Sequence, residues 1–173
     1  MTALDAVGGD SKSRDLEDML APVIPGAQRL AYAMLQNPHE SEDAVQEATF
    51  KAWRSFARFR EGSNFRAWFL TIVANECRQR RRNRWWSILR LSETPVESHP
   101  HAVADNADLL DLRNAINRLP HQMKLVIVLR YYLDLSFDDV GRVLGVGAKA
   151  AKARVHRALT RLRVDIPEML SDE

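Results

Sequence analysis

The 173-residue sequence contains a single cysteine, Cys77, so no disulfide can form within the chain. Its histidines and this cysteine show none of the spacings typical of zinc sites, which favours a protein without a bound metal. The apolar runs, such as Leu125 to Leu129, are too short to cross a bilayer, and the N-terminus lacks the layout of a signal peptide. These absences predict a cytoplasmic protein with no membrane insertion and no cofactor.

The chain also lacks the alternation of polar and apolar residues that marks β-strands. Apolar residues recur instead at helical spacing, most clearly within residues 40–59. Residues 92–106 combine prolines, histidines and scattered acids without any apolar period, which is typical of an extended linker. We therefore expect an all-α fold of two small helical domains, residues 14–91 and 107–166, joined by this flexible linker.

Acidic residues are missing from two stretches of the chain. The formal charge is only +2, and residues 1–50 hold nine acidic against three basic residues. Residues 78–90, in contrast, hold six arginines and no acid, and residues 142–163 also lack Asp and Glu. Two acid-free basic segments predict two separate contacts with a polyanion. Two solvated helix faces are the alternative, although such faces normally intersperse acids.

The segment from Leu135 to Arg163 predicts a helix-turn-helix. Ser136 is placed to cap its first helix, and the sequence Gly145-Val146-Gly147 permits a tight turn before the second. The second helix has an apolar stripe on one side and basic and small side chains on the other, as in helices that enter a DNA major groove. An amphipathic hairpin with a solvated lysine-rich face is the alternative interpretation.

Two stretches of the sequence resemble conserved regions of a known family. The segments NPHESEDAVQEATFKAW and RFREGSNFRAWFLTIVANECRQRRR resemble region 2 of the extracytoplasmic-function sigma factors. The segment RLPHQMKLVIVLRYYLDLSFDDVGRVLGVGAKAAKARVHRAL resembles their region 4. The resemblance implies a sigma factor that binds core RNA polymerase and directs promoter-specific initiation through the minus-10 and minus-35 elements. It implies no enzymatic activity of the chain itself.

The resemblance also implies roles for three groups of residues. Those matching the contact with the coiled coil of the largest polymerase subunit are Asp43, Gln46, Glu47, Thr49 and Trp53. Those matching the minus-10 readers are Arg60, Ser63, Asn64, Phe65, Trp68, Asn75, Arg78, Arg81 and Arg82. Those matching the minus-35 readers are Lys149, Lys152, Ala153, Arg154, His156 and Arg157. The polymerase β-subunit flap and an anti-sigma factor are further partners that the resemblance leads us to expect.

Some residues allow a second interpretation. Simple core packing is the alternative for Phe65 and Trp68, and Trp68 is as compatible with a place in the core as with base stacking. Cys77 lies in a predicted helix, where one thiol without a resolving partner favours a small buried residue over a redox switch. His99 and His101 are spaced as a possible metal pair, but without neighbouring carboxylates or thiols a plain linker is favoured.

The start of the second predicted helix departs from the family pattern. Where the family usually has proline-x-glycine-threonine, this chain has Gly147-Ala148-Lys149-Ala150, which weakens the helix cap and leaves the minus-35 sequence open. A stand-alone helix-turn-helix regulator that dimerises through its N-terminal half is the rival interpretation. Such a regulator would bind DNA specifically by itself, whereas a sigma factor needs core polymerase.

Overall fold

The structure, a computed structural model, describes the backbone of residues 14–60, 62–91 and 107–165, and the side-chain environments of 14–60, 62–84 and 111–164. The predicted linker, with His99 and His101, lies outside these residues. Every regular element within the described ranges is helical, as the sequence predicted.

Four helices form the N-terminal half. They are α1 (residues 14–20), α2 (Ile24–Leu35), α3 (Pro38–Ser55) and α4 (Phe65–Leu91), and a short 3-10 turn, Phe56–Arg58, follows α3. Helix α3 thus starts two residues earlier than the sequence indicated. It can do so because Asn37 caps it, accepting a hydrogen bond from the backbone N–H of Glu40 at 3.0 Å, while Pro38 needs no such partner.

The C-terminal half also contains four helices. They are α5 (Ala107–Arg118), α6 (His121–Ile127), α7 (Phe137–Leu144) and α8 (Ala148–Asp165). The sequence predicted one continuous helix over residues 121–133, but a π-helical turn, Val128–Tyr132, follows α6. This turn closes with a hydrogen bond of 2.9 Å from the Leu133 N–H to the Val128 carbonyl. Residues 125–129 are uniformly apolar, so they carry no spacing that distinguishes a π turn from an α-helix.

The helix-turn-helix forms as predicted. The Ser136 hydroxyl oxygen accepts a hydrogen bond from the Asp139 N–H at 3.1 Å, and Gly145 adopts the left-handed φ of 67° that ends α7. Gly141 lets the turn pass close by, since a Cβ there would lie 2.6 Å from the Val146 carbonyl oxygen. A side chain at this position would therefore push α8 away from α7.

One hydrophobic core runs through both halves. Phe69, Leu70 and Val73 of α4 belong to the same buried cluster as Leu129 and Val140 of the C-terminal half. A second cluster joins α5, α6 and α8 through residues that include Ala115, Val126, Val155 and Leu162. The two predicted helical halves are packed against each other, a contact that no local pattern in the sequence indicates.

Candidate nucleic-acid and polymerase interfaces

Helix α8 presents one basic face to solvent. Ala151, Val155, Ala158 and Leu162 are buried on its inner side. The opposite side exposes five of the six residues proposed to read the minus-35 element, and only Arg154 is half-buried; the exposed five are Lys149, Lys152, Ala153, His156 and Arg157. The predicted orientation of this helix is confirmed, and its outward face is free to approach a DNA groove.

The loop before α4 is ordered by its own polar side chains. The Ser63 hydroxyl donates to the Arg60 carbonyl at 2.6 Å, and the Asn64 side-chain oxygen accepts from the Ala67 N–H at 3.1 Å. Arg60, Ser63 and Asn64 are all exposed. The three residues expected to read a minus-10 base are therefore accessible, and Asn64 has the additional role of capping α4.

Aromatic side chains pack together at the start of α4. Phe65 is only 8% exposed, with its ring edge-on to Phe59 at 5.4 Å. Trp68 is half-buried and lies 5.1 Å from Phe59 and 5.5 Å from Phe65. The expectation that Phe65 offers a stacking surface does not hold in this arrangement, because the ring belongs to the core. Trp68 packs on the core and keeps part of its surface exposed. Its position is therefore compatible with both core packing and base stacking.

The promoter-facing arginines of α4 differ in their surroundings. Arg82 is exposed, whereas Arg78 and Arg81 are half-buried, and burial lowers the pKa of both guanidinium groups. Arg78 donates to the Asn75 side-chain oxygen at 2.6 Å and is electrostatically coupled to Arg154 of α8. The charge of Arg154 thus acts on Arg78, and the two basic surfaces approach one another.

Two titratable residues of α6 lie beside this group. Burial, together with repulsion from Arg81, Arg78 and Lys124, lowers the pKa of His121 to about 4, so its imidazole is neutral at pH 7. The pKa of Lys124 is also lowered, by burial and then by Arg81. In the described part of the chain, Nε of Arg78 and Nε2 of His121 are buried without a hydrogen-bond partner. Neither α6 residue could be identified from the sequence, because helical spacing within α6 does not show which element it faces.

Several residues on the face of α3 proposed to contact polymerase interact with other residues of the chain. Asp43 forms an ion pair with Arg80 at 3.6 Å, and Glu47 forms one with Lys51 at 3.6 Å. The Thr49 hydroxyl donates to the Val45 carbonyl at 2.9 Å. Both acids remain at the surface, where such pairs contribute little stability and exchange readily for other partners.

An apolar groove lies beside this face of α3. It has a volume of about 510 Å³, and its lining includes Leu16, Leu20, Phe50 and Trp53. Trp53 is 58% exposed and Phe50 is 52% exposed, with their rings stacked 6.2 Å apart. Large exposed aromatic rings beside a groove mark a protein-binding surface. Phe50 was missed from sequence, although its position three residues before Trp53 places both rings on one side of the helix.

Cys77 is fully buried, which confirms its interpretation as a small core residue. Burial raises the pKa of its thiol to about 12, so the reactive thiolate is scarce. Within the described ranges, no cluster of three or more His, Cys, Asp or Glu side chains could hold a metal ion. Over the same part of the chain, no helix is long and apolar enough to span a membrane.

Comparisons with known proteins identify the family to which both halves of the chain belong. The profile of Sigma-70 region 2 matches residues 21–87, and that of Sigma-70 region 4 matches residues 109–162, so together they span more than half of the chain. The chain belongs to the sigma-70 family. Its region 2 holds α3 and α4, and its region 4 holds the helix-turn-helix. The family works with RNA polymerase in promoter-directed transcription initiation, so this is the function of the chain.

Relatives of this sigma factor include members of the extracytoplasmic-function group. It is 28% identical over 166 residues to the ECF RNA polymerase sigma factor SigE of Mycolicibacterium smegmatis, covering 92% of this chain and 64% of that protein. It is 27% identical over 138 residues to the RNA polymerase sigma factor SigV of Bacillus subtilis, covering 80% and 82%. The structure of the sigma factor RpoE from Bartonella quintana, in complex with the anti-sigma factor NepR, superposes with a TM-score of 0.79 at 28% identity, covering 90% of this chain and 99% of RpoE. The sigma-factor fold therefore extends over both halves.

Proposed function

We propose that this sigma factor recruits core RNA polymerase through α3, and reads promoter DNA through α4 and α8. The observation that carries the proposal is the division of α8 into a buried apolar stripe and an exposed face that combines basic and small side chains. This face suits a DNA groove, where basic side chains contact phosphates and base edges and small ones permit close approach. The polymerase supplies all the chemistry, and the chain has no catalytic activity of its own.

Polymerase docks on the exposed face of α3 in this proposal. Trp53 supplies an aromatic anchor, Gln46 a polar contact, and Asp43 and Glu47 negative charge. Acidic groups are unsuited to DNA but complement a basic protein surface such as a polymerase coiled coil. Thr49 lines the apolar groove beside α3 together with Gln46 and Trp53. Phe50 extends the aromatic surface next to Trp53.

Promoter DNA is contacted at two places. The exposed loop residues Arg60, Ser63 and Asn64, with Trp68, take a minus-10 base, while Asn75, Arg78, Arg81 and Arg82 position the backbone. The outward face of α8 reads the minus-35 element, with His156 near its middle and Lys152 and Arg157 beside it. Arg154, being half-buried, contacts phosphate and not a base edge.

An anti-sigma factor is proposed as a third partner. RpoE, which shares this fold, is seen in complex with the anti-sigma factor NepR, and the groove beside α3 offers an apolar site for such an inhibitor. Because RNA polymerase works in the cytoplasm, the sigma factor is proposed to work there too.

Reconstitution with core polymerase tests the function directly. The chain is added to core enzyme on a genomic promoter library, and transcript starts are mapped. We expect a restricted set of starts, absent with core alone and lost with Trp53→Ala. The matched control is Tyr131→Ala, which removes an equally exposed aromatic ring from the other half of the chain. Failure of the folded wild-type protein to give any specific start would overturn the proposed function.

A further inference from the structure

A group of basic side chains from α4, α6 and α8 is gathered in one part of the structure. We call it the cation cluster, and it consists of Arg78 and Arg81 of α4, Lys124 of α6 and Arg154 of α8, with the neutral imidazole of His121 beside them. The charges of Arg78 and Arg81 act on His121. Arg81 also acts on Lys124, and Arg154 acts on Arg78. Side chains that are far apart in the sequence therefore place several positive charges close together.

The cation cluster is largely withdrawn from solvent. Lys124 is only 8% exposed, and Arg78, Arg81 and Arg154 are half-buried. Water screens charges poorly in such a place, so the repulsion between them is stronger than on an open surface. Buried cations are costly unless an anion lies beside them.

Among the described residues, no carboxylate pairs with the cation cluster. The oxygens that do accept hydrogen bonds are neutral: the Asn75 side chain accepts from Arg78 at 2.6 Å, and the Asn117 side chain accepts from Lys124 at 3.4 Å. Over the same part of the chain, Nε of Arg78 and Nε2 of His121 are buried without a hydrogen-bond partner. The cluster therefore combines positive charge with polar atoms that no acceptor of the described chain satisfies.

Other arginines of α4 do have such partners. Arg80 forms an ion pair with Asp43 at 3.6 Å. Nη2 of Arg66, in the first turn of the helix, donates to the Leu133 carbonyl oxygen at 2.6 Å. The lack of a negatively charged partner is thus particular to the cation cluster, and it indicates that the anion comes from outside the chain.

A compact anion with several negative charges suits the cation cluster best. Guanidinium and ammonium groups form strong, short hydrogen bonds to phosphate oxygens. A DNA duplex needs an open surface, whereas Lys124 is almost completely buried, so a small ligand fits this residue better. Pyrophosphate and nucleoside triphosphates carry linked phosphate groups, and RNA polymerase releases the first and consumes the second. Both compounds are therefore present where this chain works.

We propose that the cation cluster binds the phosphate chain of a small polyphosphate, either pyrophosphate or a nucleoside triphosphate. Arg78, Arg81 and Lys124 donate to its oxygens, and His121 donates through Nε2 when the imidazole proton is on that nitrogen. This site goes beyond the proposed function, and its occupancy requires no polymerase. One consequence rests on the proposed function: the ligand competes with promoter phosphates for Arg78 and Arg81.

Calorimetric titration of the free, full-length protein with pyrophosphate, in buffer without magnesium, tests the site. We expect saturable binding of one pyrophosphate per chain with a Kd below about 1 mM, and binding of orthophosphate at least about tenfold weaker. ATP, titrated separately, distinguishes the two sources, because the compound with the lower Kd is the ligand. Saturable binding of either supports the site. Binding of neither, or equal binding of orthophosphate, overturns the proposal.

Lys124→Met is the informative variant, because it keeps a side chain of similar length and removes the buried charge. We expect the affinity for the polyphosphate to fall at least about tenfold, the effect of losing a hydrogen bond between charged groups. Without ligand, the Tm of this variant should equal or exceed that of wild type, because the repulsion from Arg81 is gone. Pyrophosphate should raise the Tm of wild type and leave that of the variant unchanged.

The matched control is Arg142→Met, which removes an exposed cation whose ion pair with Asp139 lies within α7. Its affinity for pyrophosphate should equal that of wild type. His121→Leu is a second variant should Lys124→Met fail to fold, and it should lower the affinity about fivefold. Far-UV circular dichroism establishes folding of each variant.

Two results with the variants would overturn the site. In the first, the folded cluster variants bind pyrophosphate as tightly as wild type. In the second, Arg142→Met weakens binding as much as they do, which would mean that only net charge matters. These titrations need no transcription, so they succeed or fail independently of promoter-specific initiation, which tests the proposed function.

Discussion

The two helices assigned to promoter DNA, α4 and α8, meet the rest of the molecule in different ways. Helix α8 keeps its apolar residues on one side, and nearly all of its proposed DNA-reading residues are exposed. Helix α4 is surrounded: Phe69 and Val73 lie at the centre of the core, and Arg78 and Arg81 are half-buried. The proposed DNA-binding face of α8 is therefore exposed in the free protein, whereas that of α4 is partly covered by the second half of the chain.

This difference separates two kinds of basic surface that look alike in sequence. Both segments are acid-free, and both have arginines at helical spacing. The side chains that α8 exposes follow from the apolar spacing of that helix alone. The accessibility of the α4 arginines depends also on residues far away in the chain, such as His121 and Lys124. Four variants test this difference between α4 and α8.

The largest expected effect is on the free energy of unfolding and concerns the core packing of α4. Phe69→Ala removes a fully buried ring from the shared core and should lower the free energy of unfolding by about 3–5 kcal/mol. Chemical denaturation measures this, with Phe50→Ala, an exposed ring on α3, as the matched control with an effect below about 1 kcal/mol. Equal losses for the two variants would contradict the position of Phe69 at the centre of the core.

The second effect concerns the phosphate contacts of α4. Arg81→Ala with Arg82→Ala should weaken holoenzyme binding to most promoters to a similar degree, and should flatten the dependence of log affinity on log salt by up to about two units. Binding titrations at several salt concentrations measure the slope. A changed choice of promoters at an unchanged slope would mean that these arginines read bases.

His156→Ala tests the exposed face of α8. A side chain that contacts a base edge carries discrimination of about 1–3 kcal/mol at that base pair, so this change should relax preference at one or two minus-35 positions. Because His156 is exposed, binding to core polymerase and stability should be unaffected. Selection from a library randomised at the minus-35 element gives the outcome, and an unchanged motif would remove His156 from the readout.

The smallest effect is a dependence of stability on pH. In the folded protein the pKa of His121 is about 4, below its ordinary value of 6.5, so the unfolded chain takes up the proton first as the pH falls. The resulting stability is present above pH 6.5 and is lost between about pH 6.5 and 4. Solvent screening of this half-buried group reduces the loss between pH 7 and 5 to about 1 kcal/mol.

His121→Gln should remove this part of the pH dependence. Free energies of unfolding at pH 7 and pH 5, for wild type and variant, give the comparison. If the variant loses as much stability as wild type over this interval, the cations around His121 do not act on it as described.

Much of the fold could be predicted from local chemistry. Ser136, Gly145 and the apolar spacing of α7 and α8 act within a few residues, so the sequence was sufficient to predict the helix-turn-helix and the outward face of α8. The same is true of Cys77, whose position on the apolar side of α4 agrees with its burial.

Contacts between distant segments could not be predicted in this way. The π-helical turn follows a uniformly apolar run, residues 125–129, so a plain helix was expected over residues 121–133. The family resemblance implied base stacking by Phe65, with core packing as the alternative, and the ring packs against Phe59 in the core. The bond from Arg66 to Leu133 spans 67 residues, and no periodicity within either segment indicates it.

Specific promoter binding, measured with and without core polymerase, tests whether this chain reads promoters only as a subunit of the polymerase. A fluorescent duplex carrying a promoter identified by transcript mapping is titrated with the free protein and with the holoenzyme, beside a scrambled duplex of the same length. We expect only the holoenzyme to prefer the promoter, because Arg78 and Arg81 of α4 are half-buried in the free chain. Equal preference by the free chain alone would contradict it and would favour a stand-alone helix-turn-helix regulator.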